Sequence, residues 1–214
     1  GCAMQCEYCT YPQIEGRQIR ARSPDAVTDE MISVRDADRH VQHFFIVDSV
    51  FNHPPAHAKN VCQALIDRRF TTPWTCYINP LGFDESLASK MKDAGAVGME
   101  VGADSGCDRV LKRLNKGFTT ETLRRLHSIC QNIGLHDCHT FLLGTPQETM
   151  RDVEETLGFI VDLNPSAAIL MVYKDDFEAI DAKVASKRQA LREQTIELLK
   201  AHRERFPRWI IPAL

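Results

Sequence analysis

The sequence predicts an α/β fold built on a parallel sheet or barrel. Short, continuously apolar segments alternate with longer segments of helical periodicity. The apolar segments end on a polar residue or a glycine, as at Asp48, Asn79, Gly102 and Gly144. This alternation is typical of right-handed βαβ units, and we count five strand–helix units within residues 43–205.

Local signals predict the first elements. A polar loop over 10–22 leads into a helix predicted over 29–34, because acidic residues favour a helix start. Residues 43–48 form an apolar run that ends on a carboxylate, which predicts a buried strand. Two consecutive prolines then begin a helix over 54–67, since proline suits the first helical turn.

The remaining units repeat this order. The other predicted strands are 74–78, 97–101, 136–143 and 167–173. The other predicted helices are 84–94, 119–133, 148–161 and 185–205. Asp84 supplies an N-cap, and Gly95 and Gly134 stop two of the helices. Acidic and basic residues are balanced along the last helix, which indicates a solvated face rather than a binding patch.

Size and charge restrict the class of protein. A chain of 214 residues with 43% hydrophobic content fits one globular domain. The formal net charge of -3 provides no basic field for nucleic acid, so we do not expect a nucleic-acid partner. The longest apolar run, 167–172, is too short to span a membrane, and the sequence begins without a signal-peptide pattern. We therefore expect a cytoplasmic protein with no membrane partner.

Three of the eight cysteines, Cys2, Cys6 and Cys9, lie in the first nine residues in the spacing C-x3-C-x2-C. Three thiolates on one short loop can converge on one centre, with one ligand fewer than a closed four-thiolate site. A zinc site completed by His40 or His43 is an alternative, as is a disulfide with one spare thiol. The other five cysteines are scattered singly and are predicted to be small buried residues.

The cysteine spacing, with Tyr8 directly before the third cysteine, resembles the signature of the radical S-adenosylmethionine (SAM) superfamily. The resemblance implies a [4Fe–4S] cluster held by Cys2, Cys6 and Cys9, whose open iron chelates the amino and carboxylate groups of SAM. It implies reductive cleavage of SAM to a 5′-deoxyadenosyl radical that abstracts hydrogen from a substrate. The sequence does not identify that substrate. An electron donor such as flavodoxin or ferredoxin is the implied partner.

The resemblance also implies a partial parallel (β/α)6 TIM-like barrel, in which a first strand directly precedes the cluster loop. Here the cluster loop occupies residues 1–12, and only Gly1 precedes Cys2. We therefore expect that the first strand is missing and that residues 1–214 are a core domain from a longer protein. An extended chain would supply that strand.

Candidate SAM-binding residues follow from the ends of the strands, where parallel barrels place their chemistry. The stretch 98–106 resembles the superfamily's ribose motif, which makes Glu100, Gly102, Asp104 and Ser105 candidates for the ribose or aminoacyl end of SAM. A plain turn with a helix cap is the alternative there.

Two further strand ends resemble SAM-binding segments of the superfamily. Residues 140–149 resemble its glycine–proline corner, in which Gly144 would lie against the adenine, although Gln147 replaces a usual glycine. Glu148 is interpreted as an acid in the first turn of the following helix. Asp48 or Ser49 is a candidate acceptor for the SAM ammonium, and Asp48 capping its own loop is the alternative.

Within the superfamily, residues 1–12 together with 104–106 look most like the branch whose members often carry an N-terminal cobalamin-binding domain. Cobalamin would then come from sequence outside these 214 residues. One rival is a non-enzymatic iron–sulfur or zinc-binding module. The other is a parallel-barrel enzyme of unrelated chemistry.

Overall fold

The computed structural model describes residues 1–174, 181–203 and 206–212. Its described residues form one open sheet of six parallel strands in the order β1-β2-β3-β4-β5-β6. The strands are β1 Phe44–Ile46, β2 Trp74–Ile78, β3 Gly98–Asp104, β4 His136–Leu143, β5 Ala167–Val172 and β6 Trp209–Ile210. The predicted α/β architecture with a parallel sheet that does not close into a full barrel is confirmed.

Eight helices connect or flank the strands in the described part of the chain. They are α1 Tyr11–Ile14, α2 Pro24–Ala37, α3 Pro55–Asp67, α4 Glu85–Asp93, α5 Asp108–Arg113, α6 Thr120–Ile133, α7 Met150–Leu163 and α8 Ala182–Arg203. Asp84 caps α4 by accepting a hydrogen bond of 2.7 Å from the Leu87 amide, and Gly134 ends α6 with φ of 75°. None of these helices has the length and apolar character needed to cross a bilayer.

Several predicted bounds were wrong for identifiable reasons. Helix α2 begins at Pro24, five residues before the predicted start, because Ser23 caps it by accepting from the Ala26 amide. Helix α7 begins at Met150 rather than residue 148, because Thr149 is its cap. Glu148 therefore belongs to the preceding turn, where its carboxylate accepts from the Thr145 amide at 2.7 Å.

The count of five strands was also one short. Strand β6 lies after α8 and pairs with β5 through Ala168 and Ile169, and a two-residue strand gives no periodic signal. The short helices α1 and α5 were missed for the same reason. In the described residues no strand precedes β1, which occupies one edge of the sheet and pairs with β2 alone.

The two faces of the sheet differ sharply. On the outer face Cys76, Val101 and Phe141 are fully buried and share one core with residues of the helices. The other face, which we call the inner face, carries partly exposed side chains such as Phe45 and Tyr77, at 41% and 36% exposure. This alternation follows from the two-residue period of a strand, and it leaves the inner face available for ligands.

Four of the five scattered cysteines are buried as predicted. They are Cys62, Cys76, Cys107 and Cys130. Cys138 was predicted to be buried as well, but it is only partly buried because its position in β4 directs it to the inner face.

Candidate functional site

The cysteine loop, residues 1–12, packs against the chain segment that follows α5. The Glu7 amide donates to the Leu114 carbonyl at 3.0 Å, and the side-chain amide of Asn115 donates to the Gln5 carbonyl at 2.9 Å. Within the loop the Cys9 amide donates to the Cys6 carbonyl at 3.2 Å, which closes a turn between these two cysteines. These hydrogen bonds hold the loop at the carboxyl ends of the strands.

The thiols of Cys2, Cys6 and Cys9 line one cavity of about 390 Å³, which we call the cysteine cavity. All three are free, so the alternative of a disulfide does not describe this loop. Across the described residues, no group of three or more cysteine, histidine or acidic side chains is gathered in metal-binding geometry. The thiols therefore share a cavity without converging on one point.

The electrostatics of the loop centre on Cys6. Burial raises the pKa of the Cys6 thiol, the ammonium of Lys116 opposes that rise, and Asp104 adds to it. Cys6 would have to lose this proton to act as a ligand, because metal centres bind the thiolate.

The cysteine cavity does not include the histidines of the zinc alternative. His43 Nε2 is within hydrogen-bonding distance of the Thr75 hydroxyl, at 2.9 Å. His40 is exposed in the turn after α2. Neither side chain lines the cavity. The donor set on the cavity wall, three thiols from one short loop, fits a three-cysteine cluster better than a closed four-ligand zinc site.

Tyr8, Asp104 and Lys116 form a compact polar group beside the thiols. The Tyr8 hydroxyl donates to Asp104 Oδ2 at 2.5 Å, and Lys116 Nζ lies 2.5 Å from the same oxygen. The side chains of Lys116 and Asp104 are only 5% and 6% exposed. Burial and the adjacent carboxylate raise the pKa of Tyr8, so the phenol remains a hydrogen-bond donor.

Lys116 was not predicted from the sequence to be a site residue. It follows Asn115 and precedes Gly117, which have positive φ values of 54° and 75°. These two left-handed residues turn the chain so that Lys116 points back into the protein. The asparagine and glycine on either side were the available signal for such a turn. Lys116 is the one cationic side chain among the described residues that line the cysteine cavity.

The residues predicted to bind ribose lie in different surroundings. Asp104 has φ of 63° after a register shift in β3, and its carboxylate is occupied by Tyr8 and Lys116. Ser105 is fully buried and its hydroxyl lies 3.0 Å from the Thr156 hydroxyl of α7. That contact ties the end of β3 to α7 and engages the Ser105 hydroxyl within the protein, and the role of Ser105 in binding ribose stays a prediction.

Glu100 and Gly102 both face the inner side of the sheet, but only Gly102 lines the cysteine cavity. Glu100 Oε1 accepts a hydrogen bond of 2.7 Å from the Thr140 hydroxyl on β4. Glu100 therefore lies two residues before the cavity wall on β3, toward the amino end of the strand.

Asp48 and Ser49 also line the cysteine cavity. Asp48 Oδ1 accepts from the Ser49 amide at 2.7 Å, which is the loop-capping alternative raised from the sequence. The Ser49 hydroxyl lies 3.4 Å from the Gly1 carbonyl of the cysteine loop. The geometry thus combines the capping role with a position on the cavity wall.

Gly144 forms the predicted corner after β4, with φ of 76°. The buried guanidinium of Arg188 donates to the Gly144 carbonyl, and to the Thr145 carbonyl at 2.8 Å, which joins the corner to α8. Gln147 has φ of 65°, so it adopts the left-handed conformation for which the superfamily's usual glycine is suited. The substitution therefore keeps a left-handed turn, at a cost of about 1 kcal/mol in strain.

Comparison with known proteins agrees with this geometry. Residues 1–160 match the family model of the radical SAM superfamily. The chain is 30% identical over 179 residues to tryptophan 2-C-methyltransferase of Streptomyces laurentii, covering 77% of this chain and 29% of that protein. It is 30% identical over 152 residues to cytidylyl-2-hydroxyethylphosphonate methyltransferase of Streptomyces wedmorensis, covering 68% of this chain and 27% of that protein.

A solved structure also matches this chain. The radical S-adenosylmethionine methyltransferase TsrM from Kitasatospora setae, with cobalamin and a [4Fe–4S] cluster bound, matches with a TM-score of 0.74 and 27% identity. The match covers 80% of this chain and 32% of that one. The chain thus spans about a third or less of the length of these relatives.

Proposed function

The chain belongs to the radical SAM superfamily, and on that premise we propose that it is the SAM-cleaving core of a radical SAM enzyme. The observation that carries the proposal is the cysteine cavity. Its wall combines three free thiols with Lys116 and with polar atoms of Asp48 and Ser49. A thiolate set that leaves one metal position open, next to both a cation and a carboxylate, suits an amino-acid ligand such as SAM.

In this proposal Cys2, Cys6 and Cys9 hold a [4Fe–4S] cluster. A bound cluster supplies the electron that reductively cleaves SAM to methionine and a 5′-deoxyadenosyl radical, which abstracts hydrogen from substrate. The protein binds and orients SAM and keeps water from the reacting atoms.

Opposite charges on the cavity wall match the two charged groups of SAM's methionine end. The ammonium of Lys116 pairs with Asp104, and because it has three donors it can also donate to the SAM carboxylate. Asp48 Oδ1 accepts a hydrogen bond from the Ser49 amide. The other carboxylate oxygen, Oδ2, would accept from the SAM ammonium. Gly102 and the Gly144 corner would let backbone approach the ribose and adenine closely.

We further propose a cytoplasmic enzyme that receives electrons from a small redox protein such as flavodoxin or ferredoxin. All eight cysteines are free, as expected for a reducing compartment. By similarity to TsrM, which was solved with cobalamin bound, we also propose that cobalamin takes part through a part of the protein outside these 214 residues. Methyl transfer is then the reaction class to test first.

Anaerobic reconstitution with iron and sulfide, followed by electron paramagnetic resonance with and without SAM, tests the proposal. We expect about four irons and four labile sulfides per chain, and a reduced signal that changes on adding SAM. Alanine at Cys2, Cys6 or Cys9 should abolish the cluster, whereas Cys62→Ala is the matched control because Cys62 is buried in the core. Protein that holds about one zinc and no labile sulfide would contradict the proposal.

A further inference from the structure

The inner face carries a second polar site below the cysteine cavity. Strand register sets Tyr77 beside Glu100, and Glu100 beside Cys138, so these three side chains lie side by side on neighbouring strands. All three project from the inner face, since the residues that alternate with them are buried on the outer face. We call this group the inner-face cluster.

Phe45 lies beside the inner-face cluster and makes that side of it aromatic. Phe45 and Tyr77 meet edge to face with ring centroids 4.8 Å apart. Their exposures of 41% and 36% leave much of both rings uncovered. Aromatic surface of this kind is suited to an apolar group or to a cation above the ring.

Glu100 gives the cluster its charge. Thr140 occupies one carboxylate oxygen, Oε1, with a bond of 2.7 Å. Among the residues that the structure describes, no lysine, arginine or histidine forms an ion pair with Glu100. Burial is the main cause that raises the pKa of Tyr77 and of Cys138, and the negative charge of Glu100 is the second cause for both. Within the described part of the chain, the Glu100 carboxylate therefore lies near Tyr77 and Cys138 and has no cationic partner.

The cluster adjoins the site proposed for SAM. Tyr77 lines the cysteine cavity as well, and Gly102, two residues after Glu100 on the same face, is part of that cavity wall. Because Gly102 has no side chain, nothing from β3 separates the two sites at this point. A molecule on the inner-face cluster would therefore lie next to the ligand of the cysteine cavity.

We propose that the inner-face cluster is a substrate subsite for a protonated amine carried on an aromatic or other flat apolar group. The ammonium binds Glu100, and the apolar group lies against Tyr77 and Phe45. The inference rests on the proposed function, since it places this group next to SAM. It assigns Glu100 to substrate rather than to the SAM ribose.

The test uses benzylamine, which is protonated at neutral pH, and benzyl alcohol as an uncharged probe of the same size. Dissociation constants are measured by ligand-observed NMR on reconstituted protein with SAM. We expect benzylamine to bind about tenfold more tightly than benzyl alcohol, as a charge-assisted hydrogen bond predicts. Glu100→Gln should remove that preference, and Tyr77→Leu should weaken both probes. Glu121→Gln, on the surface of α6, is the matched control.

Equal binding of the two probes to the unmodified protein, or an unchanged preference in Glu100→Gln, would overturn the inference. Iron, sulfide and SAM affinity are measured on the same samples. A Glu100→Gln protein that loses SAM affinity but keeps its amine preference would return Glu100 to the SAM site. Failure of the unmodified protein to assemble a cluster would contradict the proposed function alone, because the probes can be titrated against cluster-free protein as well.

Discussion

The hydroxyl of Tyr8 donates a hydrogen bond of 2.5 Å to the Asp104 carboxylate, 96 residues further along the chain. This bond joins the cysteine loop to the end of β3. The same carboxylate lies 2.5 Å from Lys116, so a single acidic side chain connects the loop, the strand and the turn after α5. The position of the thiols therefore depends on contacts outside the loop.

Tyr8→Phe should loosen the loop while leaving the fold intact. The substitution removes one hydrogen bond to a charged acceptor, whereas the ring stays beside Lys116, whose Nζ lies 5.8 Å from the ring centroid. We expect the free energy of unfolding to fall by about 1–2 kcal/mol, and iron to be lost faster to a chelator. Urea denaturation and timed chelation measure these two effects. Tyr11→Phe is the control, and equal iron loss in both variants would contradict the prediction.

Lys116→Met should destabilise the protein and weaken SAM binding. It leaves Asp104 buried without its cation, which costs about 3–5 kcal/mol when a buried pair is broken. The double variant Lys116→Met with Asp104→Asn removes the uncompensated charge and should recover most of that stability. SAM affinity should stay low in the double variant, because the cation for its carboxylate is still absent. Calorimetric titration with SAM separates the two effects. Recovery of SAM affinity in the double variant would show that Lys116 acts only through Asp104.

Local signals in the sequence predicted much of this molecule. Alternating apolar and helical segments gave strands 74–78 and 136–143 with correct bounds, because those bounds depend on neighbouring residues alone. The cysteine loop was recognisable for the same reason. The directions of the Lys116 and Ser105 side chains were not predictable in this way. The direction of Lys116 depends on left-handed backbone at Asn115 and Gly117. The direction of Ser105 depends on left-handed backbone at Asp104 and on a register shift after Gly102, which alternation cannot reveal.

Stability should decline in acid through Asp137, a residue outside the SAM site. Burial alone would raise the pKa of Asp137, but hydrogen bonds from His139 and His127 outweigh it and lower the pKa to about 2. A carboxyl group whose pKa is lower in the folded state stabilises the protein above its unfolded pKa of about 4. That contribution, about 2 kcal/mol, is lost as the pH falls from about 4 to about 2.

The measurement for Asp137 is urea denaturation of the original protein and of Asp137→Asn at several pH values. The difference in unfolding free energy between the two should be largest near neutral pH and should shrink below about pH 4. Asp162→Asn, an exposed position near the end of α7, is the control. A difference that stays constant down to pH 2 would mean that the ionised carboxylate contributes no stability.

The last prediction concerns the free edge of β1, where we propose that a further strand pairs. Phe45 and Val47 are 41% and 75% exposed beside this edge. A cavity of about 480 Å³ lies there between α2 and β1, and Gly1 is part of its wall. Unpaired backbone next to apolar side chains favours aggregation or pairing with another chain. A strand that directly precedes the cysteine loop would fill the cavity and cover the edge.

Adding about ten residues encoded upstream of Gly1, the length of a strand and its turn, should therefore raise the unfolding temperature and slow the loss of iron. It should also shift the protein toward a monomer in analytical ultracentrifugation. The control extension has the same length and composition in scrambled order, so that only strand pairing and side-chain fit differ. The shorter chain would contradict the prediction if it were monomeric, unfolded cooperatively and retained iron equally well. The edge of β1 would then need no partner, because short length and local twist alone would protect it.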